Sequence, residues 1–194
     1  TNFDHDEAVT FNDGTKLNPD SSDGSMQFTI GQRFNNNFGV ELSYRNFKGS
    51  DDKGFETKNA AEIPNLPAGV TGGTPNEFDE DWDSSLKANQ FALKGVYFND
   101  LNDRLTFKAA AGLTYTDYSL KYSHEQSWEE DIPNAPDWEY DLLVESGKQS
   151  EDAFGGIISA GLDYVIAPNL SKNLTVGVEA SYSMDKYSNV SAAY

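Results

Sequence analysis

The sequence predicts an all-β chain folded as an eight-stranded antiparallel up-and-down transmembrane β-barrel. The first observation behind this is alternation at period two through residues 26–34, 38–45, 90–97, 105–116 and 157–182. One phase is apolar, as in Met26, Phe28, Ile30 and Phe34, or Val40, Leu42 and Tyr44, or Val176, Val178, Ala180 and Tyr182. The second observation is that charges in the strand centres fall on the other phase, which holds Arg33, Glu41, Arg45, Lys94, Lys108, Asp163 and Glu179. Successive side chains of a strand point to opposite faces, so the sheet has one dry and one polar surface. The third observation is that short connections alternate with long ones. A meander shows this when one rim is trimmed and the other elaborated.

In chain order, strands are predicted at 4–12, 25–35, 37–48, 85–98, 104–121, 152–167, 173–185 and 187–194. Asn35-Asn36-Asn37 turns the first hairpin, because Asn tolerates positive φ and bonds its own backbone. Residues 99–103 turn the second and residues 167–172 the third. The long connections fall at about 12–24, 49–84 and 119–152. The first strand is polar and the last has at most eight residues, against the roughly 9–11 that a membrane strand needs. A chain clipped at both ends is therefore expected, with residues 1–194 forming one domain.

Composition narrows the function classes. Of 194 residues 37% are apolar and 13% aromatic, which suits a pleated sheet. No run approaches the roughly 18–20 apolar residues of a membrane helix. The net charge of −18 is unevenly placed: residues 1–24, 49–84 and 119–152 together carry −20, leaving the rest near balance. Nucleic acid is not an expected partner, since phosphate neutralisation needs clustered Lys and Arg. Cysteine is absent and no signal peptide is present, as a mature form would have lost it. The sequons at Asn169, Asn173 and Asn189 mean little in a bacterial barrel.

The parity rule alone fits a soluble calycin-like barrel, apolar phase inward, as well as a membrane barrel with that phase in lipid. Three features favour the membrane. The charged phase is otherwise small, with Gly31, Gly39, Ser43, Gly112, Thr114, Ser159, Gly161, Gly177 and Ser181, as a narrow eight-strand lumen requires. Its four bases face three acids, the near-balance that buried charge demands. The loop asymmetry is the last. In this reading the seven lumen charges plug the barrel and leave no open pore, with Glu41 opposite Gly31 and diagonal to Arg33.

The hairpin FTIGQRFNNNFGVELSY resembles the recurrent unit of small OmpA-like barrels. FNDGTKLNPDSSDG, the hairpin leading into KAAAGLTYTDY, and FGGIISAGLDY resemble the accessory colonization factor A family of small outer-membrane proteins. The resemblance implies an eight-strand outer-membrane barrel connected with host colonisation, and no chemistry. The family's full first strand and closing aromatic strand have no clear counterpart here.

Catalytic options are thin. The two histidines are His5 and His124, and His124 reads as a surface-loop residue near Ser123, Glu125 and Ser127. On a strand His124 and Ser127 would face opposite ways, which does not suit a base and nucleophile. The protein is expected not to be an enzyme and to need no cofactor or metal. Asp79, Glu80, Asp81, Trp82 and Asp83, with Trp128, Glu129, Glu130 and Trp138, are candidates for a surface-loop interaction patch: aromatics supply contact area and charge supplies steering. Acidic loops can also gather divalent cations, without EF-hand spacing. The expected partners are the lipid bilayer, lipopolysaccharide and a host or cell-surface molecule, the expected state a monomer. The alternative function is a barrel that binds or passes a small hydrophobic molecule.

Overall fold

The computed structural model describes residues 2–5, 8–20, 25–35, 37–132, 137–166 and 175–193. Among them are ten strands: β1 (Asn2–His5), β2 (Val9–Thr10), β3 (Lys16–Leu17), β4 (Met26–Arg33), β5 (Phe38–Thr57), β6 (Glu77–Asp100), β7 (Leu105–Glu130), β8 (Trp138–Val165), β9 (Thr175–Met184) and β10 (Ser188–Ala193). Eight form one antiparallel sheet in the order β1-β10-β9-β8-β7-β6-β5-β4, and β2 pairs only with β3. Each strand from β4 onward lies beside its sequence neighbour, and β1 pairs with β10, as an up-and-down barrel requires. The turn at 167–172 lies outside the described residues.

The apolar phase faces out. Ile30, Leu113 and Phe154 are each more than 70% exposed, while Arg45 and Lys94 on the opposite phase are fully buried. One cross-strand row on the outer face runs Phe28–Tyr44–Phe91–Tyr115–Phe154 through five successive strands. Tyr44 and Phe91 have ring centroids 5.1 Å apart, and Tyr115 and Phe154 5.2 Å. A girdle of aromatics marks the level where the apolar band meets polar headgroups. The next row, Asn46–Asn89–Asp117–Asp152, is polar from β5 to β8, with Met26 beside it on β4.

Two parts of the expected map change. The segment 119–152 is mostly strand and nearly half of 49–84 is: β5 to β8 have 20, 24, 26 and 28 residues and continue well past the aromatic row. Their acids masked a continuing alternation. Phe78, Trp82, Leu86 and Ala88 stay on one phase of β6 while Asp79, Asp81 and Asp83 take the other. The connections left between these strands are 58–76 and 131–137. The first expected strand, 4–12, divides into β1 and one arm of the β2–β3 hairpin, which turns at Gly14 with φ 90.

That hairpin folds back onto the sheet. Val9, Phe11 and Leu17 are buried with Trp82, and Leu120 and Tyr122 pack against them. A Cβ at Gly49 would overlap the Pro19 carbonyl, so glycine on β5 permits the approach. A second cluster, Phe47, Leu86, Ala88, Tyr118, Ala153, Tyr187 and Val190, lies on the same inner face. The apolar core thus sits above the membrane-level lumen, not inside it.

Candidate functional site

The lumen charges are placed by strand register. Glu41 pairs with Lys94 across β5 and β6, Lys94 with Gly112, and Gly161 stands between Lys108 and Glu179. Small neighbours leave room for long side chains to converge. Lys94 Nζ lies 2.9 Å from Glu41 Oε2 and 3.0 Å from Glu179 Oε1. Lys108 Nζ lies 3.0 Å from Glu179 Oε2, 3.6 Å from Asp163 Oδ1 and 3.9 Å from Glu41 Oε1. Two ammonium groups that would repel are thereby bridged by Glu41 and Glu179, with Asp163 on Lys108 alone, which accounts for five of the seven expected residues.

The other two are elsewhere. Arg45 forms its own layer toward the apolar core, donating from Nε to Gln90 Oε1 at 3.0 Å and from its Nη atoms to Ser181 and Ser183 at 2.8 Å. Gln90 donates onward to Thr116 at 3.0 Å, and the Arg45 guanidinium stacks over Phe47. Arg33 sits at the short-turn rim, where Asp100 holds it at 3.1 Å and Phe98 lies under it. Glu41 is opposite Gly31 as expected, but Arg33 points away from it toward the exposed rim, where hydration costs less than burial. Gln90, Ser181 and Ser183 were legible only as polar-phase residues; nothing in sequence pairs them with Arg45.

Above the membrane the inner face carries the aromatic and histidine groups. Trp82 and Trp128 are buried, contrary to the expectation of a surface patch, because they occupy the inward phase of β6 and β7. His124 is buried as well, not on a surface loop. It stacks on Trp82 at 4.7 Å, and its Nε2 lies 2.8 Å from Glu80 Oε1. Gln126 donates to the same Glu80 oxygen at 2.6 Å. Trp82 Nε1 donates to Asp13 Oδ2 in the hairpin at 3.0 Å. Asp13 is held below the usual carboxylate range, chiefly by the Thr15 backbone N–H. Trp128 Nε1 donates to the Pro64 carbonyl, Glu130 accepts from the Thr74 N–H, and Trp138 packs on Gly72 and Gly73. These residues anchor the connections to the sheet.

The outer face at this height holds further acids, among them Asp79, Asp81, Asp83, Glu125, Glu129 and Asp141, which accepts from the Ser127 hydroxyl at 2.8 Å. Burial, with Glu77 and Glu56 nearby, raises the Asp79 carboxyl, and burial with Asp79 nearby raises Glu129. Oxygens of Glu56, Glu77 and Asp79 lie within 4.8 Å of one another, a spacing a cation could bridge. Lys58 already neutralises Glu77 at 2.8 Å and holds its carboxyl below the usual range.

The family model for an outer membrane protein beta-barrel domain matches residues 2–193, nearly the whole chain. The chain belongs to that family. Its place is the bacterial outer membrane, which agrees with the lipid-facing apolar phase and the aromatic row. Two solved structures of Ail, the attachment invasion locus protein of Yersinia pestis, align with TM-scores of 0.41 and 0.40 at 15% and 12% identity. Each alignment covers 99% of this chain and 89% of the solved chain, and the first of those structures is a complex with the heparin analogue sucrose octasulfate. No curated protein sequence matches. The narrower resemblance to the accessory colonization factor A family has no support in these comparisons.

Proposed function

We propose that this chain is a closed, non-enzymatic barrel of a single domain that displays an outer sheet for contact with a cell-surface partner. The observation that carries this is the length of β5 to β8. A membrane strand needs roughly 9–11 residues, so about half of each of these strands projects beyond the bilayer. The convention of outer-membrane barrels, short periplasmic turns and long outer connections, assigns the projection to the cell exterior.

Two features support a display role over catalysis or transport. The Lys94–Lys108–Glu41–Glu179–Asp163 cluster crosses the lumen of an eight-strand barrel, whose interior is only wide enough for side chains. A small hydrophobic molecule entering there would have to displace ion pairs from one another. The buried His124 spends its Nε2 on Glu80 and its ring face on Trp82, and among the described residues no hydroxyl nucleophile partners it. The contact surface is then the acidic outward phase, not the buried tryptophans.

The test neutralises that phase in the folded protein. A variant with Asp79, Asp81, Asp83, Glu125 and Asp141 changed to Asn or Gln should fold into bilayers like the parent and lose most of its adherence to cells or matrix. Parent adherence should weaken with salt, because screened charges steer less. Undiminished adherence by the neutralised variant would overturn the reading.

A further inference from the structure

Buried polar atoms without a hydrogen-bond partner are rare in folded proteins, because each one keeps its desolvation cost. Among the described residues five side-chain atoms are in that position, and four of them lie in the lumen: Gln27 Oε1, Glu41 Oε2, Ser43 Oγ and Thr114 Oγ1. Register places the four in three consecutive inward rows. Gln27 belongs to Gln27–Arg45–Gln90–Thr116, Ser43 and Thr114 to Thr29–Ser43–Ala92–Thr114, and Glu41 to Gly31–Glu41–Lys94–Gly112. The unpaired atoms therefore occupy the interval between the Arg45 layer and the Lys94 layer.

The middle row explains why no protein group reaches them. Ser43 and Thr114 are each 1% exposed and stand two strands apart, with Ala92 between. Two strand spacings are roughly 9–10 Å at the backbone, so short hydroxyl side chains approach one another without touching. Neighbouring inward rows are roughly 6–7 Å apart along the strand, again more than one hydrogen bond spans. Arg45 is held by Gln90, Ser181 and Ser183. Glu41 Oε2 lies 2.9 Å from Lys94 Nζ, an ion-pair contact outside hydrogen-bond alignment.

The chemistry of these atoms selects the ligand. Gln27 Oε1 and Glu41 Oε2 are acceptors and need donors, which excludes an anion. Arg45 and Lys94 flank the interval with positive charge, which excludes a metal cation. An apolar molecule would leave all four atoms unpaired. Water both donates and accepts, and a buried water typically makes about three hydrogen bonds. Its route is one-sided. Toward the short turns, side-chain exposure rises from 0% at Lys94 to 15% at Lys108 and 24% at Asp163. In the other direction the next inward row, Phe47–Ala88–Tyr118, closes over Arg45 as part of the apolar core.

We propose that the lumen holds a blind file of bound water, seated on Gln27, Glu41, Ser43 and Thr114, that joins the Arg45 layer to the Lys94 layer and opens only toward the short turns. The barrel is then a hydrated stopper: its two charged layers act as one network, and no solute crosses them. The inference needs only the lumen geometry and is independent of what the outer sheet contacts.

The test uses the refolded full chain and its S43A/T114V variant. Crystals that diffract well enough to show ordered water should have density within hydrogen-bond reach of both hydroxyls in the parent, and none there in the variant. Urea unfolding separates the alternatives by sign. Hydroxyls that are merely unpaired cost stability, so their removal would raise the midpoint. Hydroxyls that seat water should lower it on removal, by roughly 0.5 M or more. Proteoliposomes containing the parent should shrink under osmotic stress no faster than empty vesicles. A dry interval between the layers would overturn the proposal, as would a raised midpoint in the variant. An anomalous peak at the site after a bromide soak would put an anion in place of water, and faster shrinkage would make the file a channel; either result overturns it too.

Discussion

The membrane half and the outer half of this barrel are inverted versions of each other, built from the same four strands. Below the row Tyr44–Phe91–Tyr115–Phe154, the inner face of β5 to β8 holds the charged groups and small residues, with Val96 and Ile157 beside them, and the outer face is apolar. Above it, the inner face holds Phe47, Leu86, Trp82, Tyr118 and Trp128, and the outer face holds Lys, Ser and Asp. Period two is unbroken across the change; only the chemistry assigned to each phase is exchanged. Lipid rewards an apolar exterior and leaves the lumen to pair its own charges, whereas water rewards the opposite. A single strand thus records two solvents along its length.

Breaking the lumen pairing should produce the largest effect. Lys94 is fully buried between Glu41 and Glu179, and removing one partner from a buried ionic cluster costs on the order of 3–5 kcal/mol. Lys94→Met should lower stability by that order in urea titrations of the refolded barrel. Adding Glu179→Gln should restore part of the loss, because the two changes remove opposite members of one network. Strict additivity would mean that the pair is not coupled.

The inversion itself is sharpened by a matched set of substitutions. Leu113, outward in the membrane half and 72% exposed, should cost roughly 2–4 kcal/mol when replaced by Arg near the midplane. Ser85→Arg, equally outward but in the outer half and opposite Lys121, should cost less than about 1 kcal/mol. Leu86, its neighbour on the inward phase and 1% exposed, should cost about 3 kcal/mol as Ala. Urea unfolding of all three in one lipid composition measures the contrast. Equal costs for Leu113→Arg and Ser85→Arg would erase the boundary drawn at the aromatic row.

The smallest effect concerns pH at the tip of the outer half. Asp79 and Glu129 have raised folded-state carboxyls, so their contribution to tip stability is present in acid and lost as pH rises through those folded values. Glu77 is lowered by Lys58, so its contribution is present above the ordinary carboxylate range and lost in acid. Asp79→Asn should therefore slow local opening around residues 77–81 at pH 7, measured by hydrogen exchange corrected for intrinsic rates. At pH 3, where Asp79 would be protonated anyway, parent and variant should exchange alike.

Much of this was legible in the residues. The alternation from Met26 to Tyr182 specified strands and their phases, because it depends only on neighbours in sequence; which phase meets lipid needed the small residues around the charges, their near balance and the loop asymmetry as well. The phase of Lys94, Glu41 and Glu179 followed from the same rule. The extent of β5 to β8 was also written there, in Phe78, Trp82 and Leu86 on one parity and Asp79, Asp81 and Asp83 on the other. Dense acid, treated as the mark of a loop, concealed it. In an outward strand phase above the bilayer, acid is simply a solvated face.

By itself, the sequence determined the class of fold, the pairing of neighbouring strands and the inward or outward sense of the side chains in the membrane-level strands, since these follow from local periodicity and turn length. Only the tertiary structure decided which charges meet. Arg33 turns to Asp100 at the rim, Arg45 to Gln90, Ser181 and Ser183, and the two lumen lysines share Glu41 and Glu179 across strands as distant in sequence as β5 and β9. The docking of the β2–β3 hairpin on Trp82 and His124 was likewise invisible, because a buried aromatic and an exposed one are the same letter until a distant segment covers it. Curvature brings those partners together, and curvature belongs to the whole sheet, not to any stretch of it.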